Sequence, residues 1–289
     1  MNRSQMLRKM VKELENCGVE AAAYEARTLL EWILHIDRSE FYMNPQAEIS
    51  PKEQSILENM LQRRKMREPL QYIMNSADFM GFSFYVNENV LIPRFDTENL
   101  VEFAISEIKE LQADNSKHPL RVLDLCCGSG CIGISIKKLC DNTEVFLSDI
   151  SEQALSVARE NAGRLGADVT ILHSDLFSEM DDFTENKKLD YIISNPPYIP
   201  SKVIGELMPE VKDHEPLIAL DGTEDGLFFY KKIISQALDF LNEGGHLAFE
   251  IGFDQGKDVS ILMKKAGFGK ISLKKDLAGL DRIVSGVKI

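Results

Sequence analysis

The stretch Val122-Leu123-Asp124-Leu125-Cys126-Cys127-Gly128-Ser129-Gly130-Cys131-Ile132-Gly133 decides the architecture, because an apolar run passes through a glycine-rich turn into a helical pattern. A short apolar run bounded by turn signals is the pattern of a strand buried in a parallel sheet. Glycine lets the backbone turn sharply and pass close to a ligand, and the start of the following helix presents unpaired N–H donors. A polar ligand is therefore expected here, with Asp124, Cys126, Cys127, Gly128, Ser129 and Gly130 as binding candidates.

The spacing alone leaves the ligand open. Gly128, Gly130 and Gly133 spell G-x-G-x-x-G, and Asp149 follows Gly128 by 21 residues, where a ribose-binding acid belongs in a dinucleotide site. Asp124 points elsewhere: just before the turn, a carboxylate suits the ammonium of a methionine moiety and repels a pyrophosphate. A third possibility is that the glycines only permit close helix–strand packing.

Outward from this turn, strands are expected at Arg121–Leu125, Val145–Leu147, Val169–Leu172, Leu189–Ile193 and His246–Ile251, with helices between them. That alternation predicts an α/β doubly wound parallel sheet. Lys270–Leu273 and Arg282–Val287 read as two closing strands, and a helix is expected near 97–112. Toward the N-terminus, Leu7, Met10, Val11 and Leu14 form one helical stripe and Leu29, Leu30, Ile33 and Leu34 another. Ser50-Pro51-Lys52-Glu53 combines an N-cap, a first-turn proline and a capping-box glutamate. Gln71-Tyr72-Ile73-Met74 and Phe82-Ser83-Phe84-Tyr85-Val86 read as β-like runs joined through Asn75-Ser76-Ala77-Asp78 and Gly81. The expected organisation is a helical bundle over 1–68, a β-hairpin linker over 69–90 and a large α/β domain over 91–289.

The 289 residues carry a formal charge of -13, unevenly spread. Residues 1–80 hold 11 Lys+Arg against 12 Asp+Glu, leaving 22 against 34 for residues 81–289. Duplex DNA and naked RNA are bound largely through clustered Lys and Arg, so direct nucleic-acid binding by the larger part is not expected. The one basic run, Arg63-Arg64-Lys65-Met66-Arg67, reads as a solvated helix face. The first residues carry neither a signal-peptide apolar run nor a membrane span, so a cytoplasmic protein without a membrane partner is expected. Five cysteines, three of them at Cys126, Cys127 and Cys131, match neither a disulfide framework nor zinc-ligand spacing, so no metal is expected. His118, His173, His214 and His246 are scattered, with no partner pattern that marks a base.

The chemistry concentrates in Asn195-Pro196-Pro197-Tyr198, just past the carboxyl end of the fourth expected strand, the edge where open α/β sheets bind ligands. Two prolines stiffen the loop and remove N–H groups. The Asn195 carboxamide oxygen and the Pro196 carbonyl can both accept hydrogen bonds from one planar NH2 group, and Tyr198 offers a face for stacking. An amide nitrogen is a poor nucleophile because its lone pair is delocalised. Two acceptors that hold its hydrogens and aim the lone pair at a sulfonium methyl supply orientation and stabilise developing charge. Asn195, Pro196 and Tyr198 are the catalytic candidates, and with Pro197 they form the expected substrate slot.

With the Asp124–Gly130 loop, this segment resembles class I methyltransferases that act on exocyclic or amide nitrogens. A narrower resemblance runs through most of the chain. It rests on Arg63-Arg64 with Pro69–Ile73, Leu91–Arg94 with Thr97-Glu98, Asn195–Ile199, Glu215-Pro216 with Ala219-Leu220, Asp225–Leu227, Glu250–Gly252 with Gln255, and Asp276–Gly279 with Asp281-Arg282. These segments resemble the bacterial release-factor glutamine methyltransferases, the PrmC or HemK family. The resemblance implies a Rossmann-like class I methyltransferase sheet with an antiparallel last strand, and an N-terminal helical domain that helps dock the substrate. It implies S-adenosylmethionine as cofactor, S-adenosylhomocysteine as second product, and class 1 peptide chain release factors as partners, methylated on the glutamine of their Gly-Gly-Gln loop. Gly128 and Gly130 would flank the methionine part of the cofactor, Asp149 would hold the ribose, and Asp175 with Leu176 would border the adenine. Asn195 and Pro196 would bind the glutamine amide, and Tyr198 would shape its slot. This chain departs from the family's usual pattern at Phe95-Asp96, at Cys126 where glycine is usual, and at Leu176 where an aromatic residue is common.

Three other functions fit parts of the pattern. An adenine or guanine amino-group methyltransferase would use the same loop, but lacks a basic surface here. A nicotinamide oxidoreductase explains the glycines and leaves Asn195–Tyr198 without a task. A non-catalytic cofactor-binding module leaves both loops' chemistry unexplained.

Overall fold

The computed structural model describes residues 1–114, 118–180 and 188–289. It divides into two compact units: Met1–Ser76 with Met208–His214, and Ala77–Leu207 with Glu215–Ile289.

In the first unit, α1 (Arg3–Asn16), α2 (Ala22–Leu34), α3 (Arg38–Met43) and α4 (Pro51–Lys65) enclose a core that includes Met6, Met10, Leu14, Leu29, Leu30 and Leu57. The Ser50 capping box forms as the sequence predicts: the Ser50 hydroxyl accepts the Glu53 N–H at 3.2 Å, and Glu53 returns a bond to the Ser50 N–H at 2.9 Å. Two expectations fail in this unit. Gln71–Met74 is not β-like but lies in the helix α5 (Leu70–Met74), entered from Pro69, whose carbonyl accepts the Tyr72 and Ile73 N–H groups. A four-residue apolar run does not by itself distinguish helix from strand, and burial of Tyr72 and Ile73 decides the matter. The basic run is not a solvated face either. Arg64 is only 4% exposed and reaches Glu25 at 3.1 Å and Glu210 at 2.9 Å, while Arg67 reaches Glu210 at 2.7 Å. A buried guanidinium needs such partners, since leaving it unpaired costs several kcal/mol.

The second unit opens with the hairpin of β1 (Ala77–Phe79) and β2 (Phe82–Phe84), paired Phe79 to Phe82. Ala77 and Asp78, read from sequence as connecting residues, thus belong to a strand. Met80 and Gly81 both have positive φ, 51° and 78°, which suits a two-residue turn whose twist matches its strands. The helix α6 (Phe95–Asp114) follows.

The main sheet contains β3 (Leu120–Leu125), β4 (Thr143–Asp149), β5 (Thr170–His173), β6 (Leu189–Ser194), β7 (Leu241–Glu250), β8 (Phe268–Lys275) and β9 (Asp281–Lys288). Their order is β5-β4-β3-β6-β7-β9-β8. The first five run parallel, and β9 inserts antiparallel between β7 and β8. Among the described residues the sheet is covered by α6 together with α7 (Cys131–Leu139), α8 (Glu152–Leu165), α9 (Phe228–Phe240) and α10 (Gly256–Ala266). Two apolar layers result, one built on Leu100, Val122, Ile134, Leu147 and Leu155, the other on Leu123, Phe146, Ile192, Tyr230 and Phe249. The chain reverses its winding between β3 and β6, so a crevice opens beyond their carboxyl ends. Among the described residues no helix is long and apolar enough to cross a membrane.

Candidate active site

A cavity lies at that switch point. One wall is the turn after β3, with Cys126, Cys127, Gly128 and Ser129; a second is Asp149 and Ile150 at the end of β4, with Asp175 and Leu176 after β5. Asn195 and Pro197 after β6, Arg94 and Thr97 at the start of α6, and Ile218, Ala219 and Phe229 complete it. The structure thus brings together cofactor candidates from three strands.

The glycine turn is held mainly through its backbone. Asp149 Oδ2 accepts the Gly128 N–H at 2.9 Å and its Oδ1 accepts the Ser151 N–H at 2.9 Å. Gly128 (φ 53°) and Gly130 (φ 78°) adopt left-handed backbone, but only Gly128 has open space where a side chain would begin. At Gly133 an added Cβ would lie 2.2 Å from Leu147, so this third glycine serves helix–strand packing. Cys126, where glycine is usual in the resembled family, also has positive φ, 64°, as does Leu176 at 53°. Both carry backbone strain that glycine would avoid.

Asp124 is not where its charge suggests. It is fully buried, absent from the cavity wall, and its Oδ2 accepts the Gly133 N–H at 2.8 Å. Burial pushes its pKa up to about 7, opposed by that N–H and reinforced by Asp149. It braces the start of α7 from behind the loop. Burial also raises the thiols, Cys131 to about 12 and Cys127 well above the ordinary range, so these cysteines stay neutral and are poor nucleophiles.

The Asn195–Tyr198 loop is held differently. Asn195 Nδ2 donates to Thr97 Oγ1 at 3.3 Å, and the Tyr198 hydroxyl donates to Glu250 Oε1 at 3.3 Å. Gln255 Nε2 donates to the carbonyls of Tyr198 (3.1 Å) and Gly226 (3.2 Å), while its Oε1 accepts the Gly252 N–H at 2.9 Å. Gly226 must be glycine, since a Cβ there would sit 2.3 Å from the Tyr198 carbonyl oxygen. Asn195 and Pro197 line the cavity, whereas Pro196 and Tyr198 do not. Among the described residues, no hydrogen bond ends on Asn195 Oδ1 or on the Pro196 carbonyl.

Sequence reasoning assigned no task to Asn161, which organises this site. Asn161, 0% exposed on α8, donates to the Ser129 carbonyl at 2.9 Å and to the Tyr85 carbonyl at 3.0 Å, pinning the glycine turn to the chain after β2. Its signal was an asparagine on the apolar stripe Ala154-Leu155-Ala158-Ala162. Arg94 is paired with Glu215, whose side chain is 1% exposed and whose pKa burial raises. Glu250 and Gln255 fall within the resembling segments, but only the fold shows what they hold. Among the described residues no group of three or more His, Cys, Asp or Glu could hold a metal ion.

Strand order, the antiparallel β9 and a cavity at the switch point define a class I methyltransferase. The catalytic domain of hMettl16, solved in complex with MAT2A 3′UTR hairpin 6, shares the fold, with a TM-score of 0.55 over 82% of this chain and 82% of that one, at 13% identity. Family models place a PrmC N-terminal domain at residues 5–74 and a methyltransferase small domain at residues 108–208. The release factor glutamine methyltransferase of Clostridium botulinum is 40% identical over 95% of each chain. That of Geobacter sulfurreducens is 39% identical over 93% of this chain and 90% of its own. The chain belongs to the release factor glutamine methyltransferase family.

Proposed function

We propose that this protein methylates the side-chain amide nitrogen of the glutamine in the Gly-Gly-Gln loop of class 1 peptide chain release factors, using S-adenosylmethionine and releasing S-adenosylhomocysteine. The observation that carries this is that Asn195, on the wall of the cavity that holds the glycine turn, has an Oδ1 that accepts no hydrogen bond among the described residues, and that the carbonyl of Pro196, next to it in the chain, accepts none either. A primary amide has two hydrogens, and two acceptors hold it with its plane and lone pair fixed.

The lining suits the cofactor. Asp149 keeps lone pairs for ribose hydroxyls, Asp175 and Leu176 line the same cavity where the adenine would lie, and the Gly128 turn leaves room for the methionine part. Asp124 braces this turn rather than meeting the methionine ammonium. Asp149 and Asp175 face a cavity whose lining cation, Arg94, is already paired, which disfavours the pyrophosphate of a dinucleotide. S-adenosylmethionine supplies an electrophilic methyl on sulfur. The chain's own residues orient the amide and stabilise the charge that grows on it. The sulfur departs as a neutral thioether and the methylated nitrogen sheds one proton to water.

The first unit, matching the PrmC N-terminal domain, serves in this reading to dock the release factor, and the enzyme works in the cytoplasm without direct nucleic-acid binding. Peptide mass spectrometry of a release factor incubated with enzyme and cofactor tests the site of reaction. One added methylene on the glutamine of Gly-Gly-Gln is expected; an unmodified glutamine beside a methylated residue elsewhere contradicts it.

A further inference from the structure

We propose that Gln255 is a positioning residue for methyl transfer: it clamps the far end of the Asn195–Tyr198 loop and so fixes where Asn195 and the Pro196 carbonyl are held. The inference rests on the role given to those two groups above. A carboxamide has a donor end and an acceptor end, and main-chain partners decide which end faces which way. Gln255, 7% exposed at the residue before α10, has three of them. Its Oε1 accepts the Gly252 N–H at 2.9 Å, and its Nε2 donates to the carbonyls of Tyr198 at 3.1 Å and Gly226 at 3.2 Å. Gln255 thereby joins the loop after β6, the chain before α9 and the chain after β7. Its own main chain is fixed independently, donating to the Gly252 carbonyl at 2.9 Å and accepting the Val259 N–H at 3.0 Å.

The loop that Gln255 clamps is stiff and short. Ser194, the last residue of β6, pairs with Leu125 on β3 and Phe249 on β7, and its hydroxyl donates to the Leu125 carbonyl at 2.6 Å. Pro196 and Pro197 then restrict φ and supply no N–H. At the other end, the Ile199 N–H donates to the Leu220 carbonyl at 3.1 Å and the Ile199 carbonyl accepts the Gly222 N–H at 2.9 Å. Gly222 lets this segment lie directly on Tyr198, since a Cβ there would fall 2.6 Å from Tyr198 Cα and 2.7 Å from its carbonyl carbon. Among the described residues no main-chain N–H bonds the Tyr198 carbonyl, so its direction is set by Gln255. That carbonyl lies two residues beyond the Pro196 carbonyl. Without the Gln255 donors the Tyr198 peptide is free to rotate, and two stiff prolines carry the rotation back to Pro196 and Asn195.

The test measures methyl transfer to a purified class 1 release factor by Gln255→Glu and Gln255→Met, each alone and combined with Asn195→Ala, with cofactor affinity from calorimetry. Glutamate keeps the shape and the acceptor for Gly252 but removes both donors; methionine keeps the length without a carboxylate and covers the case in which the glutamate variant does not fold. In either variant kcat should fall by about 10- to 100-fold, the effect of two lost hydrogen bonds that leave buried carbonyls unpaired. KM for the release factor and Kd for the cofactor should change less than about three-fold. A residue that acts through Asn195 should matter less once Asn195 is gone, so in the Asn195→Ala background the loss should be at least about three times smaller. An equal loss in both backgrounds marks a general structural role and overturns the inference, as does wild-type turnover in both single variants or a loss confined to KM or Kd. Wild-type enzyme that methylates no release factor amide sinks the substrate reading and the inference with it, an outcome separate from a working enzyme indifferent to Gln255.

Discussion

Gly128 and Ser129 are held through main-chain atoms, by Asp149 and Asn161, whereas Asn195 and Tyr198 are held through their side chains, by Thr97 and Glu250. The first loop has only to offer backbone and space, so it accommodates two cysteines beside its glycines. The second has to present one carboxamide oxygen in one direction, so its supports are donors and acceptors with a fixed sense. The contrast implies that substitutions should separate the loops: turnover at the second, affinity and stability at the first.

The largest separation is expected at Asn195. Asn195→Ala should lower kcat by about 10² to 10³, the effect of removing one preorganised hydrogen-bonding group, with thermal stability nearly unchanged. Near-wild-type turnover in single-turnover assays would break the contrast at its catalytic end. Asp149→Ala should weaken cofactor binding by about 10- to 100-fold, because it removes both the ribose acceptor and the bond to the Gly128 N–H; an unchanged dissociation constant by calorimetry would misplace the ribose.

Asp124 gives a smaller, pH-dependent effect. Its folded pKa, about 7, lies above the ordinary carboxylate value. The stability it contributes is therefore full at low pH and is lost as pH rises through about 7, because the unfolded chain ionises first. Asp124→Asn can still accept the Gly133 N–H without carrying charge. Its advantage in ligand-free protein should widen by roughly 1 kcal/mol per pH unit between about pH 5 and about pH 7. A difference flat across that range, measured by denaturant unfolding, contradicts the assignment. Smallest of all, Cys126→Gly relieves a residue at φ 64° and should stabilise by about 1 kcal/mol or raise Tm by roughly 2–4 °C, with cofactor affinity retained. A lowered Tm would mean that Cys126 packing outweighs its backbone strain.

Much of this architecture was legible in the residues themselves. The strand cores of β3 to β9 showed as short apolar runs, and Ser50-Pro51-Lys52-Glu53 announced the start of α4, because strand burial and capping are local patterns. What was not legible depended on partners far along the chain. Leu70–Met74 is too short for its period to decide, and its burial in the first core makes it helical. Arg64 sits in a run that looks solvated until Glu25 and Glu210 are brought to it. Asp124 was placed rightly before the turn, but its side chain faces Gly133 rather than the cavity, a choice the sequence does not encode locally. At the second loop, Asn195 to Tyr198 stood out by their chemistry, whereas Thr97 and Glu250 acquire a role only when α6 and β7 meet behind them.

The most direct measurement is transfer of a labelled methyl group from S-adenosylmethionine to a purified class 1 release factor, run beside a Gln→Ala variant of its Gly-Gly-Gln loop, duplex DNA and ribosomal RNA. Label on the wild-type factor alone is the predicted result. Label on nucleic acid with none on the factor would contradict the account and assign the Asn195 loop to a base amino group instead.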